Sequence, residues 1–133
     1  GMFSEEQIRQ ELLKKMKEEL GYPSSLLIIE KEIKDLPHLR GSSSSFPKRR
    51  LDILVYTKKE YLHPLLLIEC KFSTKNRSNA LKQVLGYNYF VKAPFIGVVD
   101  SGGFFLLAQK KEAQIQEGLP SYSLLLEQLR SFC

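Results

Sequence analysis

The chain changes between two hydrophobic periods, and these changes divide it into predicted helices and strands. Near the N-terminus an apolar residue recurs every four positions, at Ile8, Leu12, Met16 and Leu20. This spacing predicts an amphipathic helix with one buried face. Ser4 and Gln7 form a capping-box pattern at its start, and Gly21 is a plausible residue to end it.

Strand patterns dominate the next part of the chain. Apolar runs at residues 26–33, 50–56 and 64–71 predict three strands. Residues 35–47, between the first two, contain two prolines, a glycine and four consecutive serines, which are typical of a flexible loop. The short polar connection at residues 57–60 predicts that the second and third strands form an antiparallel hairpin.

Helical spacing returns in residues 79–92, followed by predicted strands at 95–100 and 104–108 around a Ser-Gly-Gly turn. A last helix is predicted from its apolar positions, Tyr122, Leu125, Leu126, Leu129 and Phe132. The order helix, three strands, helix, two strands, helix predicts an α/β fold. We expect a mixed central sheet of about five strands flanked by helices, in a single domain spanning residues 1–133.

Composition narrows the class of protein. With 43% hydrophobic and 26% charged residues the chain is typical of a globular domain, and no apolar run reaches the roughly 20 residues of a membrane helix. The polar, charged N-terminal residues predict no secretory signal, and two cysteines, Cys70 and Cys133, are too few for a disulfide framework. We therefore expect a cytoplasmic protein without membrane attachment. Gly1 before Met2 is typical of a tag remnant.

Charged residues interrupt the second and third strands. Glu69 and Lys71 end a strand that is apolar up to that point, and they share one strand face because they are two residues apart. Asp52 interrupts the preceding apolar strand in the same way. Pairing of the two strands should bring Asp52, Glu69 and Lys71 together, with their charged tips within about 3–6 Å of one another.

This combination suits metal-dependent chemistry. Two neighbouring carboxylates raise one another's pKa unless a cation lies between them. Oxygen ligands favour Mg²⁺ or its substitute Mn²⁺, and the backbone carbonyl of Cys70 is a third candidate ligand. Such an ion activates a bound water, while Lys71 could orient that water or neutralise charge on a phosphate. The alternative is purely structural: Glu69 and Lys71 form a solvated strand end, and Asp52 pairs with Arg49 or Arg50.

The segments Arg50-Leu51-Asp52-Ile53-Leu54-Val55-Tyr56 and Leu67-Ile68-Glu69-Cys70-Lys71 resemble the PD-(D/E)XK nuclease superfamily. More closely, the chain from about residue 5 to about residue 107 is similar to the N-terminal nuclease domain of the type I restriction enzyme R (motor) subunit. The similarity includes Gly21-Tyr22-Pro23 after the first helix, and Gln83 with Tyr87 on the second. It implies a restriction-endonuclease-like core and a Mg²⁺-dependent endonuclease that acts on DNA.

The resemblance also implies roles for individual residues. Asp52 and Glu69 would be metal ligands, and Lys71 the catalytic lysine. Gln83 and Tyr87 lie four residues apart on one helix face and would support the site. A further glutamate often comes from the first helix in this superfamily. Glu11 is the best positional match for it, and Glu30 is the competitor.

The sequence departs from its relatives in two respects. Leu51 precedes Asp52 where the superfamily name suggests proline, and Asp100-Ser101-Gly102 stands where relatives often have Thr-Asn-Gly. The resemblance covers neither a helicase motor nor a specificity partner, so we do not expect ATP-driven translocation or sequence specificity from these residues. Partner subunits that supply them are therefore compatible with the sequence, as is a homodimer.

The net charge of +5 indicates a modest attraction to polyanions. Candidate phosphate contacts flank the proposed site in the sequence: Lys48, Arg49, Arg50, Lys75, Arg77 and Lys82. The alternatives left open are an RNA substrate and a non-catalytic nucleic-acid-binding or assembly module on the same fold. His38 and His63 lie beside prolines without metal-ligand spacing, and we expect neither to take part in chemistry.

Overall fold

A computed structural model describes residues 4–75, 77–103, 105–109 and 115–131. The helices are α1 (Glu5–Glu18), α2 (Arg77–Val91) and α3 (Tyr122–Arg130). The strands are β1 (Leu27–Glu32), β2 (Arg50–Lys58), β3 (Leu62–Cys70), β4 (Phe95–Val99), β5 (Phe105–Gln109) and β6 (Ile115–Glu117). Short 3₁₀ turns at Ser24–Leu26 and Ile33–Asp35 flank β1. Phe104 of a predicted strand and Phe132 of the predicted last helix lie outside the described residues, as do Gly1 and Cys133.

The strands form one mixed sheet in the order β1-β2-β3-β4-β5-β6. Strands β3 and β4 are parallel, because α2 carries the chain back across the sheet between them, and all other neighbours are antiparallel. The α/β class and the β2–β3 hairpin are confirmed. The sheet has a sixth strand, β6, that the hydrophobic pattern did not predict. It is only three residues long and exposed throughout, so it has no alternating burial to detect.

Two apolar clusters cover the faces of the sheet, which explains why its central strands are apolar on both sides. One cluster lies between the sheet and α1 with α3, and includes Ile8, Leu12, Met16, Ile53, Ile68, Cys70 and Leu125. The other lies under α2 and includes Leu51, Leu54, Leu67, Leu81, Val84 and Val98. The sheet is therefore enclosed between helical layers, and its strand ends are left to form clefts.

The predicted start of α1 is confirmed by its hydrogen bonds, whereas the helix ends at Glu18, three residues before the predicted stop at Gly21. Ser4 accepts from the Gln7 backbone, while the Gln7 side chain accepts from the Ser4 backbone, which completes the capping box. Beyond the helix, Gly21 has φ +72° and the Tyr22 N–H donates to the Met16 carbonyl at 3.0 Å. Within the described residues, no helix combines the length and the apolar character that crossing a bilayer requires.

Candidate functional site

The register of the β2–β3 hairpin brings Asp52 to the end of β3. Ile53 pairs with Ile68, so the residues that follow Ile68 run alongside Asp52. The backbone N–H of Cys70 donates to Asp52 Oδ2 at 2.8 Å. Asp52 is therefore fixed against the strand end that carries Glu69 and leads into Lys71.

Glu69 is a buried carboxyl group, with 4% of the residue exposed. Burial is the largest cause of a raised pKa at Glu69, and a hydrogen bond with the Asp52 side chain and its negative charge act in the same direction. Arg49 and Lys71 oppose the shift through their positive charges. These four side chains thus lie close enough to interact. The negative charge of Asp52 disfavours the ionised form of Glu69.

Arg49 supplies the direct counter-charge to Glu69. Its Nη2 donates to Glu69 Oε1 at 2.8 Å, and its guanidinium lies 4.8 Å from the centre of the Tyr87 ring. Tyr87 is on α2, so this contact places α2 beside the carboxyl pair. The purely structural interpretation of these charges predicts Arg49 or Arg50 as the ion-pair partner of Asp52. Instead, Arg49 pairs with Glu69.

Lys71 lines a cavity of about 240 Å³ beyond the end of β3. Its N–H continues the parallel pairing with β4 by donating to the Val99 carbonyl at 2.8 Å. Gln83 of α2 lines the same cavity, as do Lys75, Arg77 and Asp100. The predicted catalytic lysine, one predicted supporting residue and two predicted phosphate contacts therefore share one opening.

A residue that the sequence analysis did not single out, Arg9, lies beside Asp52. Its Nη1 is 3.7 Å from Asp52 Oδ1 and donates to Glu30 Oε1 at 2.9 Å, while its Nη2 contacts Glu6. The arginine is buried on the apolar face of α1, four residues before the buried Leu13. A charge at an apolar position of the helix was the sequence signal that could have revealed it.

The structure separates the two glutamates that competed for a supporting role. Glu30 reaches the neighbourhood of Asp52 through Arg9. Glu11 is exposed and lines a different cavity of about 650 Å³, between α1, the β4–β5 turn and the segment after β6. Lys15 and Glu117 line this second cavity too, while Asp100 borders both.

The six basic residues predicted to contact phosphate fall into two groups. Arg49 and Arg77 are engaged within the protein, with Glu69 and Asp100 respectively. The remaining four have exposed side chains: Lys48, Arg50, Lys75 and Lys82. Any phosphate contact by Arg49 or Arg77 would therefore compete with an existing ion pair.

Comparisons with known proteins agree on one family. The family model described as "Type I restriction enzyme R protein N terminus (HSDR_N)" matches residues 4–121. A fragment assigned as the HsdR subunit of a type I restriction enzyme from Vibrio vulnificus YJ016 has a similar fold, with a TM-score of 0.68 and 17% sequence identity. The similarity covers 97% of this chain but 26% of the Vibrio chain. A comparison with curated proteins finds no match. The chain therefore belongs to the family of type I restriction enzyme R protein N-terminal domains.

Proposed function

We propose that this domain is a divalent-metal-dependent endonuclease of the PD-(D/E)XK superfamily that cleaves DNA phosphodiester bonds. The observation that carries the proposal is the position of Asp52 against the strand end that carries the buried Glu69, next to Lys71, which lines a basic cavity. Family membership supports it, since the matched family is named for a restriction enzyme subunit.

The donor set fits a Mg²⁺ or Mn²⁺ ion. Within the described ranges, no group of three or more His, Cys, Asp and Glu side chains is arranged to hold a metal. Mg²⁺, however, commonly uses one or two carboxylates and completes its shell with water and substrate phosphate oxygens. Asp52 and Glu69 would hold the ion, with the Cys70 carbonyl as a third oxygen. A cation between them would also relieve the repulsion that contributes to the raised pKa of Glu69.

When bound, the metal would polarise the phosphate and lower the pKa of a bound water. Lys71 would add a positive charge where negative charge develops on the phosphate, since it lines the cavity next to the carboxyl pair. Gln83, on the same cavity, would orient the substrate or the water through its amide group. Tyr87 would position Arg49, whose guanidinium lies over its ring.

Two alternatives remain distinct from this proposal. The same cavity could accept RNA, because metal ligands and lysine act on either phosphodiester. A non-catalytic assembly module would need the fold but not the charged set. The grouping of Asp52, Glu69 and Lys71 favours catalysis over a purely structural role. Burying the Glu69 carboxyl group costs folding free energy, and an apolar residue at this position would avoid that cost. Motor and specificity functions would come from other parts of a type I complex, and a homodimer is compatible with this role.

The decisive experiment is plasmid nicking by wild type and by Lys71→Met. The substitution keeps the length of the side chain and removes its charge. We expect the rate of supercoiled plasmid nicking with Mg²⁺ or Mn²⁺ to fall by about 10²–10³, because one electrostatic contact in the transition state is lost. Mn²⁺ affinity should not fall, since lysine is not a ligand and its positive charge opposes cation binding.

Chelator and substrate controls complete the test. Wild-type nicking should stop with EDTA and resume with added Mg²⁺. Faster cleavage of RNA than of DNA would assign the alternative substrate. If wild type nicks no faster than Lys71→Met on any DNA or RNA tested, the domain is not a nuclease.

A further inference from the structure

Arg9 is a buried cation shared between three elements. Its side chain is only 6% exposed, yet it contacts Glu6 of α1, Glu30 of β1 and Asp52 of β2. A guanidinium so deeply buried cannot reach a bound nucleic acid. Its effect on chemistry can only pass through the carboxylates that it touches.

The backbone of β1 is distorted where it meets this arginine. β1 and β2 pair on both sides of Asp52, through Ile29 with Ile53 and Lys31 with Leu51. Between those two pairs, Glu30 has φ +51°, a left-handed conformation that non-glycine residues seldom adopt within a strand. Backbone strain of this kind costs free energy and persists where surrounding contacts hold it. Here it directs the Glu30 carboxylate to Arg9.

We propose that Arg9 is a positioning residue for Asp52, and that Glu30 and Glu6 hold it in place. This inference rests on the proposed function, because it treats Asp52 as a metal ligand. The Cys70 N–H fixes one oxygen of Asp52, and Arg9 faces the other. Together the two contacts set the rotation of the carboxyl group beside Glu69.

The charge balance supports positioning over simple neutralisation. Arg9 already contacts Glu6 and Glu30, so its positive charge is largely compensated before Asp52 is counted. The forked guanidinium can contact several carboxylates in fixed directions, which a lysine amine cannot do. Residues that orient metal ligands typically change metal affinity or activity by 10–100-fold when they are substituted.

The test uses Arg9→Met and Arg9→Lys in the 133-residue chain, with Lys14→Met as the control. Lys14 is an exposed residue of the same helix, so its substitution removes one positive charge without touching the Arg9 cluster. Calorimetry with Mn²⁺ should show at least tenfold weaker binding for Arg9→Met and a smaller loss for Arg9→Lys. Lys14→Met should bind as wild type does. In metal-free protein, hydrogen exchange of the Cys70 amide should be faster in both Arg9 variants, because that amide donates to Asp52.

Each outcome decides the proposal. Unchanged or tighter Mn²⁺ binding by a folded Arg9→Met would overturn it, because a nearby positive charge alone weakens cation binding. Should Arg9→Met fail to fold, Arg9→Lys decides: wild-type Mn²⁺ affinity with an unchanged Cys70 exchange rate overturns the role. If wild type itself binds no Mn²⁺, the proposed function fails. The Cys70 exchange rate then still shows whether Arg9 orients Asp52.

Discussion

At the scale of single residues, the two central carboxyl groups differ in their surroundings. Asp52 is partly exposed and accepts a backbone hydrogen bond, whereas Glu69 is buried with Arg49 as its hydrogen-bonded cation. Burial and the neighbouring aspartate raise the pKa of Glu69. A folded protein keeps such a costly arrangement more readily where a ligand offsets it.

We expect Glu69→Gln to weaken the proposed metal site without unfolding the protein. The amide keeps the shape of the side chain and removes a charge that burial penalises, so the free energy of unfolding should not fall by more than about 1 kcal/mol. Mn²⁺ affinity, measured by calorimetry, should drop at least tenfold, and likewise in Asp52→Ala.

Glu11→Gln is the matched control, because Glu11 is an exposed carboxylate on the other cavity. It should bind Mn²⁺ with wild-type affinity. Equal affinity in all four proteins would place any metal away from Asp52 and Glu69.

At the scale of elements, His38 connects the long loop after β1 to the sheet and to α2. Its Nε2 lies 2.8 Å from the carbonyl oxygen of Val91, the last residue of α2, and its Nδ1 lies 2.7 Å from the Tyr56 hydroxyl of β2. A carbonyl only accepts, so Nε2 carries the hydrogen and Nδ1 accepts from Tyr56 in the neutral ring. A histidine predicted to be chemically inert thus holds three segments together.

This contact predicts a pH-dependent stability. Burial lowers the pKa of His38 below its ordinary value of 6.5, against a smaller opposite effect of the Val91 hydrogen bond. As pH falls, the unfolded chain binds the proton first, so the stabilisation is complete above about pH 6.5 and is lost as pH decreases below it. Thermal unfolding from pH 7.5 to 5.0 should show this loss in wild type, and a smaller loss in His38→Gln.

His63 provides the control, since it is the other histidine of the chain and is exposed. His63→Gln should keep the wild-type pH profile. The expectation fails if His38→Gln and wild type lose stability in parallel over this range. At pH 7.5, His38→Gln should lower the free energy of unfolding by about 1 kcal/mol, the usual effect of a lost hydrogen bond.

At the scale of the whole molecule, the basic cavity lies at one end of the sheet and the β2–β3 turn at the other. Lys75 lines the cavity near Lys71, whereas Lys59 belongs to the turn between β2 and β3. Substituting each lysine in turn therefore distinguishes a local phosphate contact at the cavity from the general attraction due to the net charge of +5.

We expect Lys75→Glu to weaken duplex DNA binding equally across unrelated sequences, because phosphate contacts carry no base information. The slope of log affinity against log salt should become shallower by about 0.9 for the one phosphate lost. Lys59→Glu, with the same change in net charge, should have a smaller effect. The measurement is fluorescence anisotropy over a salt series. Equal effects of the two substitutions would indicate a purely non-local attraction and no phosphate contact at the cavity.

The sequence by itself determined the helices, every described strand except β6, and the central charged set. The four-residue period of α1, its capping box and the apolar runs of the strands are local patterns, so the α/β class could be predicted from them. Asp52, Glu69 and Lys71 stood out because charges in apolar strands are costly and therefore informative. Strand pairing then follows from the short hairpin connection, which limits the ways in which the two strands can meet.

Only the tertiary structure decided which charges neutralise that set. Arg9 and Glu30 are 21 residues apart in the sequence and meet Asp52 through the packing of α1 against the sheet. Arg49 could be assigned to Glu69 only from the register of β2 and β3. Glu11 is not part of the site, because it lines the other cavity. β6 depends on hydrogen bonds to β5 and buries nothing. These contacts are long-range, and a linear pattern carries no record of which distant charge fills a given position.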